Sequence, residues 1–137
     1  MKRKDLQELA ALRMKEARLL LKANCPEGAY YLAGYADECA LKACIAKRTE
    51  RFELPDLKAA QESWGHDLSK LAKTAALDEK LREAANRDPE FNLNWTLVTK
   101  WKPDSRYEKR SLAEAAALIG ALEDRTHGIF RWLKRHW

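Results

Sequence analysis

The sequence predicts an all-α fold, an up-and-down bundle of four to six helices with a long C-terminal helix. Three observations predict it. Apolar residues recur at steps of three and four over long stretches. Nothing alternates with period two for long enough to form a strand. Ala, Leu, Lys, Glu and Arg dominate a chain that holds only 5 Gly and 4 Pro. The 137 residues, 46% hydrophobic and 34% charged, fit one domain, 1–137. That length buries a core without disulfides or metals, and the composition is too apolar for disorder.

The first helix runs from about Lys4 to Ala23, with Leu6, Leu9, Arg13, Ala17 and Leu20 along one face and Leu12 and Leu19 widening it. Asn24 to Gly28 breaks it, because Pro26 cannot continue a helix and Gly28 tolerates a turn. The second helix, Ala29 to Arg48, is apolar almost all round. Such a helix is central in a bundle or covered by a second interface. Gly34 and the many alanines admit close neighbours.

Thr49 to Trp64 reads as a connector, with Pro55 setting an extended entry. Gly65-His66-Asp67-Leu68 opens a short helix capped by Asp67. Asp78 caps another that ends near Arg87, where Pro89 closes it. Asn94 to Trp101 forms one or two further turns, and Lys102 to Ser105 is a loop. Ser111 and Glu114 have capping-box spacing. From there a final helix carries Leu112, Ala115, Ile119, Leu122, Thr126, Ile129, Leu133 and His136 on one seam. Gly120 and Gly128 weaken that helix without ending it.

Composition narrows the function classes. No stretch reaches the roughly 20 apolar residues of a membrane span, and the N-terminus lacks a signal-peptide core. Cys25, Cys39 and Cys44 are odd in number and lack framework spacing. They read as small buried hydrophobes in a reducing compartment, the cytoplasm. A net charge of +5 permits contact with nucleic acid without demanding it. The histidines, His66, His127 and His136, form no metal pattern, so neither metal nor cofactor is expected. There is no Gly-rich phosphate loop.

Two groups of residues carry candidate chemistry. Tyr31, Tyr35, Glu38 and Lys42 fall on one face of the second helix. A carboxylate at Glu38, among aromatics, needs a partner or a raised pKa. A plain Glu38–Lys42 pair one turn apart is the simpler reading. The second group is Lys100 to Arg110, with five basic residues against two acidic ones and Trp101 and Tyr107 interleaved. Cations there hold phosphates and rings stack bases, while a solvated charge run has the same appearance.

Taken in order, these pieces resemble the HEPN domain family (higher eukaryotes and prokaryotes nucleotide-binding). The resemblance rests on Arg13, Glu16, Ala17 and Leu20 in the first helix, then Ala29 to Ala43 with its Ala36-x-Glu38-x-x-Leu41-Lys42-Ala43 core. Gly65-His66-Asp67-Leu68 with Leu71 follows, then Arg106-Tyr107 before an Ala-rich last helix. It implies a helical bundle that dimerises and acts on RNA or nucleotide, often beside a nucleotidyltransferase-type antitoxin. Many such proteins are metal-independent RNases of toxin–antitoxin systems. In their signature about four to six residues separate the Arg from a following His, and no His follows Arg106 in that window. Arg131 and His136 have the spacing but point about 140° apart on a helix, so they are not expected to form the couple.

The leading expectation is therefore a homodimeric RNA- or nucleotide-binding module. Alternatives are a metal-independent endoribonuclease and a purely structural dimerisation domain. Candidate catalytic residues are Glu38, His66 and Arg106. Candidate ligand-binding residues are Arg106, Tyr107, Lys102, Trp101 and Tyr35.

Overall fold

The computed structural model describes residues 1–51 and 64–137; the expected entry at Pro55 lies outside them. Among the described residues every regular element is helical. They are α1 (Arg3–Lys22), α2 (Pro26–Arg51), α3 (Leu68–Thr74), α4 (Asp78–Arg87), α5 (Pro89–Thr99), a 3₁₀ turn (Pro103–Tyr107), α6 (Leu112–Glu123) and α7 (Ile129–Lys134). None is long and apolar enough to cross a membrane.

α1 and α2 form a helical hairpin. α1 turns Ala10, Met14 and Ala17 inward, while Leu12 and Leu19 stay exposed and do not widen the packed stripe as expected. Asn24 takes the left-handed conformation at φ 62°, and the Cys25 N–H reaches back to the Leu20 carbonyl at 2.9 Å. Cys25 itself is exposed, unlike the buried Cys39 and Cys44. Pro26 does not block α2; it is its first residue, a position where the missing N–H would have had no helical partner. The hairpin is tight at Gly28, where a Cβ would sit 3.1 Å from Leu20 Cδ1.

α2 is the central helix. It packs against α1, α3, α6, α7 and the 3₁₀ turn, which explains why its sequence is apolar almost all round. One closest approach depends on Gly34: a Cβ there would lie 2.2 Å from Cδ2, Cε2 and Nε1 of Trp101. The indole is seated on bare helix backbone and is 1% exposed.

The remaining elements correct several expectations. Asp67 caps α3 by accepting the Lys70 N–H at 3.1 Å, as its sequence indicates. Asp78 is not a cap; it lies inside the first turn of α4, after Leu77. Pro89 ends α4 and also opens α5, with Asp88 capping the Glu90 and Phe91 N–H groups at 3.1 and 3.2 Å. The loop after Trp101 winds into the 3₁₀ turn. Ser111 and Glu114 make the full reciprocal capping box.

The long C-terminal helix does not form. α6 stops at Glu123, and α7 is a separate short helix. Asp124 leaves helical geometry at ψ 135°, and its carboxylate takes the N–H groups of Thr126 and His127 at 3.1 and 2.7 Å. This is the local bonding by which Asp competes with a helix. Gly128 completes the break, since a Cβ there would meet the Asp124 carbonyl oxygen at 2.4 Å.

Candidate functional site

The site follows one face of α2. Tyr31, Tyr35, Glu38 and Lys42 recur at steps of four, three and four, and Tyr31 and Tyr35 stack with ring centroids 6.2 Å apart. Trp101 also stacks with Tyr31, at 6.1 Å between centroids. Burial, and after it the neighbouring Cys39 and Glu38, raises the Tyr35 hydroxyl above its ordinary pKa.

Glu38 lies at the middle of this face and is only 2% exposed. Each of its oxygens has a partner. Oε2 accepts from Lys42 Nζ at 3.2 Å, so the simple pair one turn apart is present. Oε1 meets His66 Nδ1 at 3.1 Å across the α2–α3 junction. A carboxylate this deep is tolerated because both oxygens are engaged by groups able to donate to it. The His66 side chain is 58% exposed, and its Nε2 has no partner among the described residues. The tautomer that donates Nδ1–H to Glu38 leaves Nε2 as the ring's acceptor nitrogen.

The 3₁₀ segment is tied to this pair from the other side. Lys102 Nζ lies 3.3 Å from Oδ2 of Asp67, the residue after His66. Partial burial pushes the Asp67 carboxyl up. The Lys70 N–H and the Lys102 ammonium outweigh that and hold it below the usual carboxylate range. Farther along the turn, Arg106 is exposed, with Tyr31 and Tyr107 beside it; these hydroxyls, Tyr31 first, raise its pKa above the ordinary guanidinium value. Its guanidinium lies 4.9 Å from the centre of the Tyr107 ring. Tyr31 precedes Glu38 by seven residues on the same face, about 10 Å along the axis. Arg106 thus marks one end of a strip and the Glu38–His66 pair the other.

Glu38 and His66 therefore touch, Lys102 is linked to them through Asp67, and Arg106 and Tyr107 stand at the Tyr31 end. Trp101 must be corrected: its faces are covered by Gly34 and Tyr31, so it anchors the segment and offers no surface to a ligand. The C-terminal residues have separate occupations. Arg131 Nε donates to the Glu123 carbonyl at 2.6 Å. His136 Nδ1 lies 2.9 Å from the Trp132 carbonyl, and burial lowers its pKa. Trp64, 83% exposed two residues before His66, is absent from the sequence-derived candidates. Its one signal there is a bulky ring bordering Gly65-His66. No group of three or more metal-ligating side chains occurs among the described residues.

The chain matches no protein-family model, no curated protein and no solved structure in the comparisons made.

Proposed function

We propose that the chain is a HEPN-like module that binds RNA or nucleotide along the α2 strip, as a homodimer beside a nucleotidyltransferase-type partner. The supporting observation is the tether between segments distant in sequence. Glu38 holds His66, and Asp67 holds Lys102, so cations and hydrogen-bonding groups from α2, the 64–67 segment and the 3₁₀ turn share one surface. Exposed Lys102 and Arg106 supply phosphate contacts. Light scattering decides the dimer, and a monomer at tens of micromolar removes that part of the reading.

Titration of RNA and of free nucleotide at matched low salt tests the site. Arg106→Ala is expected to weaken binding by about one order of magnitude while leaving the circular dichroism unchanged. Equal affinity in variant and wild type removes Arg106 from the site.

One observation favours a second reading, metal-independent RNA cleavage. A histidine oriented by a buried carboxylate, with Nε2 open to solvent, is the arrangement of a general base, and Arg106 would steady a phosphate. RNA incubated with the protein in excess EDTA separates the two. Cleavage that His66→Ala abolishes selects the nuclease; binding without cleavage selects the module.

A further inference from the structure

Resting on the RNA-binding reading, we infer that the strip selects single-stranded RNA over duplex, with Trp64 and Tyr107 as its base-stacking platforms. These two rings are 83% and 79% exposed, and each adjoins a site residue. Trp64 is two residues before His66, and Tyr107 directly follows Arg106. The Asp67–Lys102 contact at 3.3 Å holds the two segments side by side. That contact lies three residues from Trp64 and five from Tyr107, so it joins the two segments that carry the rings.

The surroundings say which chemistry they suit. Large rings this exposed leave apolar faces in water, and covering them is favourable. The segment that carries Tyr107 also carries exposed cations, Lys102, Arg106 and Lys109. Arg106 lies over the Tyr107 ring at 4.9 Å, an arrangement in which cation and ring form one platform. Among the described residues, Trp64 has no ring or cation against it. Aromatic faces interleaved with cations match a strand whose bases are free to stack and whose phosphates run alongside. A duplex keeps its base faces stacked within and presents only edges, hydroxyls and phosphates, so it would satisfy the cations and leave both rings uncovered. Trp101, the tryptophan nearest these cations in sequence, is buried and takes no part; Trp64 supplies the surface that Trp101 does not.

The experiment compares a short fluorescent single-stranded RNA with its duplex, by anisotropy at one low salt concentration, on wild type, Trp64→Ala, Trp64→Phe, Tyr107→Ala and Arg106→Ala. Both rings are exposed, so circular dichroism should be unchanged in every variant. The inference expects the single strand to bind at least tenfold more tightly than the duplex. It expects Trp64→Ala and Tyr107→Ala each to lose on the order of tenfold on the single strand, with Trp64→Ala leaving duplex binding unmoved and Trp64→Phe close to wild type. Equal affinity for both forms, or alanine variants that match wild type, overturns it. If binding persists and responds to Arg106→Ala while the ring variants are silent, the RNA-binding reading stands and this inference falls. If neither form binds, both fall.

Discussion

Asp37 is the residue most at odds with its surroundings. It is 0% exposed, neither carboxylate oxygen has a hydrogen-bond partner among the described residues, and burial alone pushes its pKa to about 8. Ionising it inside the core is costly, so the folded protein keeps it protonated where the unfolded chain, with a value near 3.9, does not. Between those values the folded state binds more protons, and stability falls as pH rises through about 4 to 8. Asp37→Asn removes the titration. It is expected to stabilise the protein by ~2–4 kcal/mol more at pH 8 than at pH 4.5, read from urea denaturation midpoints. An equal effect at both pH values contradicts this account of Asp37. The sequence did not single this residue out, because an Asp in a helix is usually solvated; only the packing of α1, α3, α6 and α7 against α2 exposes the anomaly. Glu38, its neighbour, was legible from the aromatic face around it. The His66 contact was not, since it joins positions 28 residues apart.

At the scale of elements, starts were more legible than stops. Asp67 and Ser111–Glu114 cap their helices through side-chain bonds that need only local sequence. Pro26 and Pro89 look like terminators yet occupy first turns, where proline fits as well. The break between α6 and α7 was hidden because the three-four spacing of apolar residues runs straight across it. What decides it is the Asp124 carboxylate and the crowding at Gly128. His127 then fastens this turn to α5. Its Nδ1 lies 2.5 Å from Asp88 Oδ2 and its Nε2 3.2 Å from Glu90 Oε2, and its carbonyl accepts from Asn94 Nδ2 at 2.9 Å. The Asp88 hydrogen bond first, and the charges of Asp88, Glu90 and Asp124 with it, raise the His127 pKa. Asp88 is lowered in turn, chiefly by His127. A raised histidine contributes its stability in full below about 6.5, and that stability is lost as pH rises through the folded value. His127→Gln is therefore expected to destabilise the protein more at pH 5.5 than at pH 8.5. A pH-independent effect in thermal denaturation would show that the charge plays no part.

Across the whole molecule, the helical class and the central place of α2 follow from composition and periodicity. The site required the fold. Its parts come from three segments that meet through Glu38–His66, through Lys102–Asp67 and where Gly34 lets Trp101 settle on α2. Exposure then reassigned the aromatic roles, with Trp101 inside and Trp64 outside. The central claim is that this surface is where ligand binds. Its most direct test is an NMR titration of the isotope-labelled protein with a short single-stranded RNA. The account predicts progressive shift changes at Tyr35, His66, Lys102, Arg106 and Tyr107, with α4 and α7 unmoved. Changes confined to α4 and α7, or none at all at saturating RNA, would contradict it.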